Sequence, residues 1–534
     1  MSHVRQIKVA APIHNEKFGE LARVLEAVFA VKFGLGDASE SAGEILPESL
    51  QSPATNGNAG SPCRLVLSGS TGKESDRLTE IRVRFSDDVG VPFPFRGRAL
   101  SCKVGVRPAP LKLLAGEKAL LTCERGVVWA QSEVRGQKVF RSALALPVIP
   151  AGGNLHDVLN GDRFLELLPL LHFLRTVTDY YQWQRPAVRA QFMFDDPNLH
   201  WPTYGLVKYG ELASRAEKEN YHVSFATVPL DAWFTHGGAV GIFQKHPGRL
   251  SLCVHGNDHT KRELAQDYTQ AGRIALLRQA VRRIETLEHR SGLPISKVMV
   301  PPHGACSHEM LAEIVGCGFE SACISHGSLR AHNRARAWTK SLGYLPAECI
   351  AGCPVLPRWG FVGTTENTIL LAVYLDQALV LRGHHQDLKD GIELLDGFAR
   401  IINSLGNVIW TNMSEISQQS YDSVMEGKTL RLRPWSSKIA LAKSPEATEV
   451  IVDDSFITGT SSWRITDLNG TASSEIRSGD RFSLQNLIGK SLALERVVTA
   501  TKQGAEANRV PVAAFVRRLL TEGRDRFQGV FGCR

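Results

Sequence analysis

Between residues 189 and 417 short apolar runs alternate with longer amphipathic ones. The apolar runs at 191–195, 222–227, 250–255, 297–300, 321–324, 378–382 and 408–410 have strand length. Amphipathic stretches at 208–220, 270–291, 307–315 and 389–404 predict helices between several of them. This βαβ rhythm predicts a parallel sheet, closed or nearly closed into a barrel. On either side the pattern changes. Residues 18–33 form one amphipathic run, 36–62 are rich in Gly, Ser, Pro and Asn, and 64–67, 81–85 and 127–130 read as short strands, followed by a helical run at 164–181. After residue 421 short strands at 437–441, 448–452, 462–465, 482–484 and 491–497 are separated by turn residues and predict a small β-sandwich. The end, 510–531, is an Arg-rich amphipathic helix with Val512, Phe515, Val516 and Leu519 on one face, expected to pack on the protein and leave its basic face in solvent. The chain is therefore divided into an N-terminal α/β accessory domain at 1–185, a catalytic barrel at 186–420, a β-sandwich at 421–505 and a C-terminal basic helix at 506–534.

Composition changes this picture little. The 534 residues are 43% hydrophobic and 22% charged, which suits a globular fold with a large core. A net charge of +8 over this length is mild, and no nucleic-acid partner is expected. Ten scattered cysteines, of which only Cys349 and Cys353 are close, form no disulfide framework. The start, Met1 to Lys8, has no apolar core of signal-peptide length, and the most apolar helical run, 164–174, contains Glu166, Pro169 and His172 and is too short to span a bilayer. No transmembrane segment is expected, and a cytoplasmic location is the expectation.

The chemistry lies at the expected strand ends. Asp195 and Asp196 close the run Gln191-Phe192-Met193-Phe194; His255-Gly256-Asn257-Asp258-His259, Pro301-Pro302-His303-Gly304 and His384-His385 follow. In βα folds the C-terminal ends of the strands hold the active site. Asp196, His255 and His259 offer one oxygen and two nitrogens to a divalent ion, and zinc suits that set. The spacing of His255 and His259 would put two imidazoles on one side of a helical turn. Adjacent carboxylates alternate along a strand, so both reach one pocket only if the chain turns there; one can then bind metal and the other take a proton from water.

This arrangement resembles the polysaccharide deacetylase superfamily, carbohydrate esterase family four and its relatives, over about residues 190–415. The resemblance implies a deformed barrel of about seven βα units, so the expected fold class is α/β: a (β/α)7-type barrel with an N-terminal α/β domain and a C-terminal β-sandwich. It also implies that Asp195 is the base, that Asp196, His255 and His259 bind metal, that the turn at Pro302 and His303 shapes the pocket and its oxyanion site, and that His384 or His385 is the acid. The chain departs from the family's pattern at Pro197, where Gly is usual, and at Val300, where an Arg normally holds the base carboxylate. His303 stands for the usual Tyr, and the late motif Leu381-Arg382-Gly383-His384-His385 is one residue longer. Arg358 is the candidate to replace the missing Arg. The expected activity is metal-dependent removal of an acetyl group from an acetylated carbohydrate or glycan precursor. The alternatives are an inactive glycan-binding protein that kept the barrel, and hydrolysis of a non-sugar C–N amide.

Overall fold

The computed structural model describes residues 4–11, 13, 16–35, 41–50, 63–68, 77–134, 136–150, 152–441, 447–454, 461–467, 473–484, 487, 491–498 and 512–531. They form two compact units. One comprises Met1–Trp183, Ala337–Leu345 and Thr365–Leu375; the other comprises Gln184–Arg336, Pro346–Thr364 and Asp376–Arg534.

The first unit carries a nine-stranded mixed sheet with helices at Glu16–Glu26, Leu168–Val177 and Glu366–Tyr374. The apolar run at 18–33 is not one helix: it stops at Glu26, and Val31–Gly34 is a strand paired in parallel with Arg5–Val9. Val31 and Phe33 are β-prone, and Val31 is buried in that pairing. Within the Gly/Ser/Pro/Asn-rich stretch, Gly43–Pro47 is a further strand of the sheet; 36–40 and 51–62 lie outside the described residues. The run at 164–181 is helical over Leu168–Val177, with Pro169 in its first turn, where a missing N–H costs nothing.

The second unit is built on a curled ten-stranded sheet whose outermost strands do not meet, a half-barrel. Its main parallel strands are β1 (Val188–Asp195), β2 (Val223–Thr227), β3 (Leu250–His255), β4 (Ile295–Val300), β5 (Ser321–Cys323), β6 (Cys353–Leu356), β7 (Leu379–Gly383) and β8 (Val408–Trp410). They run in the order β6-β5-β4-β3-β2-β1-β7, and β8 pairs with the start of β1. β1 is buried over Arg189–Asp195 and β2 throughout, as expected of strands covered on both faces.

The helices follow local capping signals. α1 (Tyr209–Glu219) ends at Asn220, which adopts φ 52°. In α2 (Gln270–Ser291) Thr269 caps the start and Gly292, at φ 66°, the end. α3 (His308–Ile314) starts on the Ser307 cap. α4 (Glu393–Asn403) begins later than the apolar pattern suggests, because Gly391 at φ 112° interrupts the run after a 3-10 turn at His385–Leu388.

Downstream, two four-stranded sheets enclose one core that includes Leu432, Val450, Trp463, Ile465 and Leu494, which makes the β-sandwich. The last helix, α5 (Val512–Phe531), departs from expectation. Arg518, Glu522 and Asp525 are buried, whereas Val512, Val516, Leu519 and Leu520 are exposed. Its charged face is turned inward because the βα loops offer it charged partners. No helix of the described residues is long and apolar enough to cross a membrane.

Candidate metal centre and hydrolytic site

Asp195 is the last residue of β1 and is buried. Arg358, just after β6 and equally buried, donates from Nη1 to both of its carboxylate oxygens at 2.9 and 3.1 Å. Burial would raise the Asp195 carboxyl, but Arg358, then His255, His384 and Arg382, outweigh it and hold the group below its usual value. Thus the guanidinium that Val300 cannot provide reaches Asp195 from another loop.

Asp196 has φ 87°, in the left-handed region, where Asp is tolerated better than most residues but still costs about 1–3 kcal/mol. That kink is what lets neighbouring carboxylates serve one pocket. Asp196 Oδ1 lies 3.1 Å from His259 Nε2 and 3.9 Å from His255 Nε2. His255 ends β3, and its Nδ1 donates to the Val300 carbonyl at 2.9 Å, which aims Nε2 into the site. Burial, assisted by His259 and Arg358, lowers its pKa to about 4, so the ring is neutral and able to ligate.

His259 does not sit on a helical turn with His255, as the spacing suggested. It lies in a loop at φ 53°. That loop is shaped by buried Glu263, which accepts from the backbone N–H groups of Asn257 (2.5 Å) and Asp258 (2.9 Å). Gly256 is needed there: at φ 62°, a Cβ would fall 1.9 Å from Glu263 Oε1 and 2.5 Å from Pro302 Cγ.

One ligand atom from each of Asp196, His255 and His259 falls within 4.8 Å of the others. A partly buried carboxylate oxygen, two imidazole nitrogens and a carbonyl holding the far side of one ring fit a divalent ion. Alanine at any of the three is expected to strip that ion, as read by elemental analysis of the purified variants. Full metal content in all three would place the ion elsewhere.

The other expected residues divide. His303, at φ 58°, has its ring 5.0 Å from that of His259, and Pro302 is buried beside Gly256. His384 lies just beyond β7 and is among the groups whose nearness holds the Asp195 carboxyl down. His385 points into a different environment: it is buried, its ring is 5.7 Å from Tyr204, and its Nε2 is 3.9 Å from Asp525 Oδ1.

α5 reaches the site, although all three proposed ligands precede residue 260. Arg518 donates to Asp231 Oδ2 from Nε (3.0 Å) and Nη2 (2.7 Å), and from Nη2 to the Asp196 carbonyl (2.7 Å). Its Nη1 is 3.5 Å from Asp196 Oδ1. Glu522 accepts from His200 Nδ1 (2.9 Å) and Asn198 Nδ2 (3.1 Å), while His200 Nε2 donates to the Asp231 carbonyl (2.9 Å). Burial would raise Glu522, but His200 and Arg526 bring it down to about 2; His200 is raised by the same partner against its own burial. Tyr204 donates to Asp525 at 3.1 Å. The sequence signal was the repeat Arg518, Glu522, Asp525 at spacings of four and three, which puts three charges on one helix face.

No family model and no curated protein matches the chain. Among solved structures, Agd3, described as a novel carbohydrate deacetylase, aligns over 92% of this chain and 99% of its own with 10% identity and a TM-score of 0.45. A family 4 carbohydrate esterase from Streptomyces lividans aligns over 43% of this chain and 94% of its own, at 11% identity and a TM-score of 0.26. A CE4 family pseudoenzyme from Bacillus anthracis covers 44% of this chain and 66% of its own, at 10% identity and a TM-score of 0.27.

Proposed function

We propose that this protein is a metal-dependent hydrolase that removes an acetyl group from an amide or ester of a sugar or glycan precursor. The observation that carries this reading is the buried Arg358–Asp195 pair beside the Asp196, His255 and His259 cluster. A binding protein has no use for a carboxylate kept ionised at that position, whereas a hydrolase needs one as a base. When bound, a divalent ion, with zinc the best match to the donors, supplies positive charge that polarises a carbonyl and acidifies water. Asp195 accepts the proton of the attacking water. Arg358 acts through Asp195, holding its orientation and charge. The Pro302–His303 turn shapes the pocket, and a backbone N–H there is the oxyanion donor in this reading.

His384 returns a proton to the leaving nitrogen or oxygen, and His385 packs against Tyr204 and Asp525. Imidazole is the side chain best able to give up a proton to a leaving group in aqueous catalysis, which suits the role. The test is acetate release from a panel of N- and O-acetylated sugars by wild type, His384→Ala and His385→Ala, with nitrophenyl acetate alongside. His384→Ala is expected to lose activity on acetylated amines and retain most of it on the activated ester, whose leaving group needs no acid. If only His385→Ala shows that dependence, the acid is His385; if neither does, the late motif is structural. Release from a non-sugar acetamide in preference to every sugar would move the substrate class.

A second reading, a catalytically weak or inactive glycan-binding protein, is favoured by Arg518, whose cation stands 3.5 Å from Asp196 Oδ1, where a metal's charge would be balanced. Under this reading the purified chain binds acetylated glycans without releasing acetate, whatever metal is supplied.

A further inference from the structure

The outward face of α5 is apolar. Val512, Val516, Leu519 and Leu520, spaced four, three and one apart along the helix, are 77%, 47%, 41% and 70% exposed. The strip continues off the helix: the Phe515 ring meets Trp233 at 5.8 Å, Trp233 meets Phe234 at 5.7 Å, and these two aromatics are themselves 49% and 40% exposed. Isolated exposed apolar residues are ordinary, but a contiguous strip of aliphatic and aromatic side chains marks an interaction surface.

The exposed charges of the helix itself are basic. The helix's acids, Glu522 and Asp525, are both buried and paired. Arg517 and Arg524 are exposed, Arg524 while also bridging to Asp525 at 2.7 Å. The neighbouring segments 199–208 and 232–245 contain no Asp or Glu and include Lys245 and Lys208, the latter paired with Glu211 at 3.3 Å.

We propose that the outward face of α5, with Trp233 and Phe234, docks on an anionic lipid surface. Aliphatic side chains and tryptophan suit the boundary between headgroups and acyl chains, and arginines beside them suit lipid phosphates. Val and Leu offer a hydrated glycan no hydrogen bonds. A second copy meeting this face about a two-fold axis would set arginine against arginine. The charged side of the helix stays engaged with Asp231, His200 and Tyr204, so docking needs no unfolding of the site. The proposal does not depend on the deacetylase reading.

The experiment is cosedimentation of the full chain with vesicles of phosphatidylcholine alone and of phosphatidylcholine mixed with phosphatidylglycerol. Wild type is expected on the mixed vesicles, in a salt-sensitive manner, and not on the neutral ones. Val516→Asp with Leu520→Asp should weaken partitioning by about tenfold or more, and Arg517→Glu with Arg524→Glu should remove the preference for anionic lipid. Lipids brominated in the acyl chain should quench wild-type fluorescence, and Trp233→Phe should lose part of that quenching; this readout needs no destabilising variant. Failure of wild type to bind mixed vesicles overturns the proposal. So does undiminished binding by the Asp variant, or a dimer in size-exclusion chromatography that the Asp variant dissociates.

Discussion

Replacing Asp195 by asparagine is expected to lower acetate release by about 10²–10⁴-fold, the usual contribution of a positioned base, while leaving the metal in place. The amide keeps the shape of the carboxylate but cannot accept a proton from water. Metal content should survive because Asp196, His255 and His259 are separate groups, with His255 fixed by the Val300 carbonyl rather than by Asp195. The paired measurement is turnover on the best substrate of the panel and elemental analysis of the same sample. Unchanged turnover would remove Asp195 from the base role. Loss of metal along with activity would mean that Asp195 helps to bind it.

Replacing Arg358 by methionine should be the most destabilising single change at the site. It leaves Asp195 buried without its charge partner, and breaking a buried ion pair from one side costs about 3–5 kcal/mol. The sign of the pH effect follows. In the wild type the Asp195 carboxyl is held below its ordinary value, so its pairing contributes stability above the unfolded-state pKa and loses it as the pH falls through the lower folded value. In Arg358→Met, burial dominates and the folded pKa rises above the unfolded one. The variant then loses stability as the pH rises, and the acidic limb of any remaining activity moves to higher pH. Thermal unfolding between acid and neutral pH checks the first part. The double variant Arg358→Met, Asp195→Asn should recover much of the lost stability, because no uncompensated charge is left inside. A single variant as stable as wild type at neutral pH would show that Asp195 is not the buried, ionised group described here.

Much of the second unit can be read from the chain because its elements are locally encoded. The apolar runs that became β1, β2, β3, β4 and β7 are buried strands, and α2 runs over 270–291 as its apolar spacing and its Thr269 and Gly292 caps dictate. Strand-end positions also carried the chemistry: Asp195 and His255 are the last residues of their strands, and Asp196, His255 and His259 come together. The geometry between these residues was not legible. A spacing of four predicts a helical turn, but His259 is carried by a loop bent around Glu263 and Gly256.

Two features were decided only by the tertiary structure. Arg358 follows Asp195 by 163 residues, and nothing local says that the chain leaving β6 returns beside β1; it does so because Trp359–Gly360 pairs with β7, the neighbour of β1. The helix α5 shows the same limit more sharply. Periodicity specifies which of its residues share a face, but not which face turns inward. Apolar residues usually win that choice through burial. Here Asp231, His200, Tyr204 and the Asp196 carbonyl stand more than 280 residues upstream as partners for Arg518, Glu522 and Asp525, and the charged side is buried instead. Buried charge persists only where partners answer it, and a single helix in sequence does not disclose its partners.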